Sequence, residues 1–282
     1  MAILMDGNTL AKQVRIGVRK QTALLPEPPG LAVIQVGENP ASMVYVNNKR
    51  RDCERCGIVS YAHHLDEDAG QAKLLELIRF LNGEPHIHGI LVQLPLPKGY
   101  GSDAIIQAIS PEKDVDAFHA LTVGKLYLNS GPAFEPCTPA GVIALLDRYE
   151  IDLRGKHCVV VGRSNIVGKP MGTMLLHRNA TVTICHGSTV DLPSFTRQAD
   201  VLISAVGKSG LITADMVKPG AVVVDVGINR IDDKICGDVD FDEVEKVASY
   251  ITPVPGGVGP MTRAMLMTNT LKAAQKYFMR GK

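Results

Sequence analysis

The chain has 282 residues, enough for about two domains, and its 30 Lys+Arg against 29 Asp+Glu leave a formal net charge of +1. With 45% hydrophobic and 21% charged residues it can fill ordinary cores and is not a disordered tail. Balanced charge argues against a nucleic-acid partner, which needs surplus cations, and 5% aromatics without Trp leave no base-stacking platform.

The apolar start Met1–Met5 is cut by Asp6, too early for a secretory core, and no apolar run approaches the ~18 residues that span a bilayer. Six cysteines (53, 56, 137, 158, 185 and 236) make no disulfide framework in a chain this long. These features predict a soluble, cytoplasmic, reduced protein with no membrane partner.

In chain order, Leu31–Val36 is a short apolar run closed by Gly37, the pattern of a buried parallel strand. A helix follows, with Asn39 as N-cap, Pro40 at its first position and Gly57 as its stop. Leu74, Leu77, Ile78 and Leu81 mark the next helix, and Ile90–Leu94 the next strand, ended by Pro95 and Pro97. Residues 116–137, with Gly124, Gly131, Pro132 and Pro136, read as a connection between domains. A second series opens with Thr138 as cap, Pro139 at the first helical position and a stripe of Val142, Leu145, Leu146 and Tyr149. Strands are predicted at His157–Val161, Thr181–Cys185, Val201–Val206 and Ala221–Val226, and a last helix over about 261–279. No repeat and no low-complexity tract is present. The pattern predicts two α/β domains, the second a Rossmann-type doubly wound parallel sheet, with a C-terminal helix returning to the first. The expected division is 1–136 with 261–282, and 137–260.

The strand at 157–161 runs into Gly162-Arg163-Ser164-Asn165-Ile166-Val167-Gly168, a strand-to-helix turn of the kind that lets backbone approach a pyrophosphate. It departs from the usual G-x-G-x-x-G fingerprint, and a plain turn that binds nothing is the other reading. The next strand ends in Cys185-His186-Gly187-Ser188, with no acid for a ribose 2′-hydroxyl, while Arg163 can pair with a 2′-phosphate. NADP is therefore expected over NAD.

Tyr45 and Lys49 stand one turn apart on the helix opened by Asn39. A lysine there is either a solvated chain along a tyrosine ring or an acid/base group whose pKa is brought down by its surroundings. Gln93 sits at the carboxyl edge of a buried strand, where open α/β sheets place ligands; it is either a satisfied core amide or a partner of Lys49 or a ligand. Asp114 and Asp116 share one side of an extended segment. They are too few for a magnesium site, which leaves a solvated acidic turn or a single carboxylate facing the N–H edge of a heterocycle. The Thr252–Pro260 stretch is a stiff Pro/Gly loop able to lie flat on a planar ligand. Cys53-x-x-Cys56 has no partner pair at zinc spacing and lies within a helix, so neither metal nor redox use is expected.

Together, PASMVYVNNKRRDCERCGI (40–58), GILVQLPLP (89–97), PEKDVDAF (111–118), CTPAGV (137–142), VVVGRSNIVGKP (159–170), VVVDVGINR (222–230), GDVDF (237–241) and TPVPGGVGPMT (252–262) resemble the bifunctional methylenetetrahydrofolate dehydrogenase/methenyltetrahydrofolate cyclohydrolases. These segments occur in the family's order along nearly the whole chain. The resemblance implies NADP⁺-dependent oxidation of 5,10-methylenetetrahydrofolate to the methenyl compound, then hydrolysis to 10-formyltetrahydrofolate, without a metal. It implies Lys49 as the acid/base residue held by Gln93, Tyr45 stacked on the folate's aminobenzoyl ring and Asp116 on the pterin edge. Val92, Leu94 and the loop with Pro255, Gly256, Gly257 and Gly259 would complete the folate site. Gly162, Arg163, Ser164, Gly168, Gly187, Ser188 and Ile228 would line the NADP site, and the family implies a homodimer. A monofunctional NAD-dependent dehydrogenase and a non-enzymatic nucleotide-binding relative are the alternatives. Short-chain dehydrogenases also use Tyr-x-x-x-Lys, but after the dinucleotide turn rather than before it. The chain departs from the family pattern at His88 (commonly Asp), Ala117 (usually Gly) and Gly187 (often Ser).

Overall fold

The computed structural model describes residues 1–282 except Asn39, Pro132, Ala133, Asp233, Gly281 and Lys282, and of 40–45 and Arg280 it describes the backbone alone. The chain divides into two compact units, Lys12–Glu135 with Arg263–Lys282, and Met1–Ala11 with Pro136–Thr262.

The chain opens with β1 (Ile3–Leu4) and α1 (Gly7–Thr22), followed by β2 (Gly30–Val36), α2 (Pro40–Cys56), β3 (Val59–Leu65), α3 (Gly70–Gly83) and β4 (Gly89–Val92). Two short helices, α4 (Ser102–Ala108) and α5 (Ala120–Leu128), complete this stretch. β3, β2 and β4 form a parallel three-stranded sheet in that order, with Ile34 opposite both His63 and Val92. Every residue of β2 is buried, because central parallel strands are covered on both faces. Ile34 and Ile90 pack with Leu74, Ile78 and Leu81 of α3 and Ile105 of α4. Each such side chain contributes about 1.5–3 kcal/mol of burial. Lys113 ties α3 down from outside the helix. Its Nζ donates to Leu81 O at 3.0 Å and Glu84 O at 2.7 Å, a second donor for two carbonyls at the helix end that already accept from Glu84 N and Ile87 N.

The rest of the chain runs α6 (Cys137–Arg148), β5 (His157–Val161), α7 (Gly168–His177), β6 (Thr181–Cys185), α8 (Leu192–Thr196), β7 (Val201–Ser204), β8 (Val222–Asp225), β9 (Asn229–Ile231), β10 (Lys234–Cys236), α9 (Phe241–Val244), β11 (Tyr250–Ile251) and α10 (Val258–Arg280). The six-stranded sheet has the order β1-β11-β8-β7-β5-β6, with every pair parallel; β9 and β10 form a separate antiparallel hairpin. From β5 the chain goes outward to β6, then returns to β7 and β8 on the other side. The β5/β7 boundary is thus the switch point at which doubly wound sheets bind ligands. The core of this sheet holds Val159, Leu202, Val223 and Ile251. The two-domain α/β architecture expected from the sequence is present, and the C-terminal helix from Arg263 onward belongs with the first unit.

Several local expectations are corrected. The stretch 116–137 is not a plain connection but contains α5, whose N-cap is His119, its Nδ1 accepting from Leu121 N at 3.1 Å. Thr138 does not cap α6. That helix begins at Cys137, and the Thr138 hydroxyl pairs instead with the Thr262 hydroxyl at 3.0 Å. Residues 1–11 group with the second unit because Ile3 and Leu4 pair with Tyr250 and Ile251. β4, β7 and β8 end one or two residues earlier than expected, and α10 starts at Val258 rather than 261. The expected cap at Asn39 lies outside the described residues. No described helix is long and apolar enough to cross a membrane.

Candidate active site

The lysine site is built at the carboxyl ends of β2 and β4. Gln93 N donates to Ile34 O at 2.8 Å, extending the ladder one residue past β4 and fixing where the side chain starts. Gln93 Oε1 then accepts from Lys49 Nζ at 2.8 Å, and its Nε2 donates to Leu94 O at 2.7 Å. Both ends of the amide are occupied, so a flip would cost both bonds. Of the two readings open for Gln93, the partner of Lys49 is the one the geometry takes. Lys49 and Gln93 are both half-buried. Tyr45 lies one turn before Lys49 in α2, with its side chain outside the described residues.

The two carboxylates at 114 and 116 separate in the fold. Asp114 is buried and accepts from Phe118 N at 3.2 Å and His119 N at 2.8 Å, a turn-forming role; burial pushes its carboxyl above the ordinary value. Ile90 N donates to Lys113 O at 2.8 Å, and Ile90 bridges Asp114 in parallel register. The segment therefore runs alongside β4, and Asp116, half-buried, follows toward the same carboxyl edge as Gln93. Ala117 after it holds φ 63°, a left-handed conformation that costs a non-glycine residue about 1–2 kcal/mol. This is the physical ground for glycine at that position.

One turn beyond Lys49, Asp52 is buried among three guanidiniums: Arg15 at 3.5 Å, Arg55 at 3.4 Å and Arg263 at 3.2 Å. Cys53 and Cys56 fill the last turn of α2 as buried thiols, both pushed up to about 12 by burial, so neither is a thiolate at neutral pH. No cluster able to hold a metal is found among the described residues.

The glycine turn lies at the β5/β7 switch point. Gly162 holds φ 135°, and a Cβ there would stand 2.4 Å from Ala205 O, so only glycine lets the turn pass the loop after β7. A Cβ on Gly168 would stand 2.1 Å from Gly162 O, which explains the second glycine. Ser164 organises the turn: its Oγ accepts from Val167 N at 3.2 Å and Gly168 N at 3.3 Å, and its carbonyl accepts from Lys169 N at 3.1 Å. With Pro170 lacking an N–H, the first turn of α7 offers fewer free donors to a pyrophosphate than its glycines suggest. Arg163 is exposed at the mouth of the turn, as are Gly187 and Ser188 after β6 and Ile228 after β8.

The 252–257 loop is pinned from both sides. Thr252 Oγ1 accepts from Asp225 N at 2.7 Å, and Gly256 O accepts from Gly7 N at 2.9 Å and Asn8 N at 3.1 Å. Gly256 holds φ 116°. Gly7 is the unforeseen residue here, since a Cβ on it would meet Gly257 O at 1.8 Å. Pro255 is exposed and Gly257 buried, whereas Gly259 belongs to the first turn of α10, not to the loop. Burial pushes the Asp225 carboxyl up to about 6, against the pull of its backbone donors.

Two family models match the chain. Residues 5–116 match the catalytic domain of tetrahydrofolate dehydrogenase/cyclohydrolase, and residues 136–278 match its NAD(P)-binding domain. The chain belongs to the tetrahydrofolate dehydrogenase/cyclohydrolase family. It is 56% identical over 279 residues to the bifunctional protein FolD of Paracidovorax citrulli, covering 98% of both chains. Among solved structures it is similar to the bifunctional FolD methylenetetrahydrofolate dehydrogenase/cyclohydrolase of Campylobacter jejuni, with TM-score 0.96 and 52% identity over 98% of this chain and 99% of that one. It is likewise similar to the Trypanosoma brucei methylenetetrahydrofolate dehydrogenase-cyclohydrolase complexed with NADP and an inhibitor, with TM-score 0.95, 37% identity and 98% of each chain covered.

Proposed function

We infer that this family member oxidises 5,10-methylenetetrahydrofolate with NADP⁺ and hydrolyses the resulting 5,10-methenyltetrahydrofolate to 10-formyltetrahydrofolate. The observation that carries the reading is the Lys49–Gln93 bond at 2.8 Å, set at the carboxyl edge of the first sheet in a chain of this family. Gln93 gives the ammonium or amine a neutral acceptor. It aims the lysine without adding the negative charge that would hold its proton. Beside a methenyl cation, like-charge repulsion favours the neutral amine, which can take a proton from the attacking water. Under this reading Asp116 accepts from the pterin's N–H edge, Tyr45 stacks on the aminobenzoyl ring, and Val92 and Leu94 add backbone contacts beside Gln93.

The nucleotide side fits the dinucleotide its family implies. Gly162 and Gly168 allow the close backbone approaches of the turn, Ser164 shapes it, and the exposed Arg163 is the cation proposed for the 2′-phosphate. Gly187, Ser188 and Ile228 complete the contacts. When bound, the nicotinamide supplies the hydride acceptor; the protein's part is to orient the rings and hold the proton chemistry at Lys49. The absence of an acid at 185–188, where β6 ends, favours NADP⁺ over NAD⁺. Homodimer formation through the second unit and a cytoplasmic location belong to the same proposal and rest on the family resemblance.

The test is nicotinamide reduction, followed by absorbance with each nucleotide. NADP⁺ should be reduced only when methylenetetrahydrofolate is added, and equal rates with NAD⁺ would remove Arg163 from its role. Lys49→Met should abolish methenyl hydrolysis while NADP⁺ still binds.

A further inference from the structure

The wall of the crevice opposite the glycine turn is organised by one buried carboxylate. Asp238 is fully buried. Its Oδ2 accepts from Ser204 Oγ at 3.1 Å, Val206 N at 2.7 Å and Gly207 N at 3.2 Å. Its Oδ1 accepts from Lys208 N at 2.8 Å and Asn229 Nδ2 at 3.1 Å. An ionised carboxylate is acceptor-only with about four lone-pair directions, so these donors saturate it. They come from Ser204 at the end of β7, from the loop that follows it, and from Asn229 at the start of β9.

Asp225 locks Asp238 from behind. Its Oδ1 accepts from Gly227 N at 2.9 Å and Asp238 N at 3.0 Å, and its Oδ2 from Val239 N at 2.9 Å. The fit leaves no room for side chains. A Cβ on Gly227 would lie 2.1 Å from Asp238 Oδ1, and one on Gly237 would lie 1.8 Å from Asp225 Oδ2. Ile228 follows Gly227 and precedes Asn229, so this exposed side chain is presented by two residues that the paired carboxylates hold.

We propose that Asp238 is a positioning residue for the nucleotide, fixing loops 205–208 and 226–229 as the β7 and β8 side of the crevice and thereby setting the affinity for NADP⁺. This deepens the functional reading above and rests on it. Position supports the role, since Ala205 O is the atom that Gly162 must pass, and the loop after β7 therefore defines the width of the switch-point crevice. The strands themselves do not depend on Asp238: β7 and β8 are wholly buried and paired along their lengths. Loss of the carboxylate should therefore reshape the loops and leave the sheet.

The two activities provide the discriminating assay, because hydrolysis of preformed methenyltetrahydrofolate needs no nucleotide. Asp238→Asn replaces one acceptor by an N–H₂ that faces other donors. It should raise KM for NADP⁺ about tenfold or more, with a smaller change in kcat and hydrolysis within about twofold of wild type. Asn229→Ala, which removes one donor from Asp238 together with the Nδ2 bond to Gly237 O at 3.0 Å, should shift the same KM about threefold. If Asp238→Asn fails to fold, the Asn229→Ala comparison decides by the same split. An unchanged KM, or dehydrogenase and hydrolase falling in parallel, overturns the inference while wild-type activity stands. A wild-type protein without NADP⁺-dependent activity overturns the functional reading, and the inference with it.

Discussion

Lys49 Nζ lies 2.8 Å from Gln93 Oε1, and the other end of that amide is held by Leu94 O at 2.7 Å. The acceptor facing the lysine is thus neutral and cannot turn away. Gln93→Glu would put a carboxylate at the same place, favour the protonated lysine and set an acceptor against Leu94 O. Methenyl hydrolysis should fall about tenfold or more near neutral pH and its optimum should move to higher pH, while KM for NADP⁺ stays at the wild-type value. The pH–rate profile checks this, and an unshifted profile would show that the Gln93 amide does not tune Lys49.

Much of this site was legible in residue type and order, but its closing contacts were not. The apolar run of β2 and the glycines at 162 and 168 announce themselves, because a buried strand and a tight turn each admit few residue types. Lys49 and Gln93 are far apart in sequence, and only the β2–β4 register and the course of α2 bring them together. α5 was hidden because its cap is a histidine ring acting as acceptor rather than Ser, Thr, Asp or Asn. β3 shows in the sequence only near its end at His63-His64, because an edge strand with four of its seven residues exposed lacks the continuous apolar run of its neighbour. Asp238 stood in a recognised segment, yet most of its donors are backbone N–H groups, which leave no side-chain pattern to read.

Gly187 follows β6, and a Cβ there meets nothing within 4 Å. Its φ is not positive, so serine fits without strain. Under the proposed reading, the new hydroxyl stands near the 2′-phosphate of NADP⁺, where a charge-assisted hydrogen bond is added. Gly187→Ser should lower KM for NADP⁺ about three- to tenfold and leave KM for NAD⁺ unchanged. Steady-state kinetics with both nucleotides decide it; an equal shift for NAD⁺ would place residue 187 away from the phosphate.

Among the described residues Asp52 is the one acid paired with Arg15, Arg55 and Arg263, and its side chain is 2% exposed while those of Arg15 and Arg263 are 13% and 24% exposed. Asp52→Ala would leave two largely buried guanidiniums facing each other without a counter-charge. The expected loss is on the order of 3 kcal/mol, seen as a lower urea midpoint. A loss below about 1 kcal/mol would mean that water screens the cluster as it screens surface pairs.

His88 Nδ1 accepts from Gly30 N at 3.0 Å, so the neutral ring carries its proton on Nε2, which is buried without a hydrogen-bond partner among the described residues. The rings of Tyr277 and Phe278 lie against it at 5.2 and 5.3 Å. Burial, reinforced by the Lys113 ammonium, holds its pKa below the ordinary value of 6.5. The unfolded chain therefore binds this proton more readily than the folded one. The contribution to stability is complete above about pH 6.5 and is lost as pH falls through the lower folded value, at up to about 1.4 kcal/mol per pH unit. His88→Asn keeps an acceptor for Gly30 N–H and removes the titration. Urea unfolding at about pH 7.5 and 5.5 should show a smaller loss of midpoint in the variant than in the wild type. Equal losses would mean that the acid sensitivity arises from other groups.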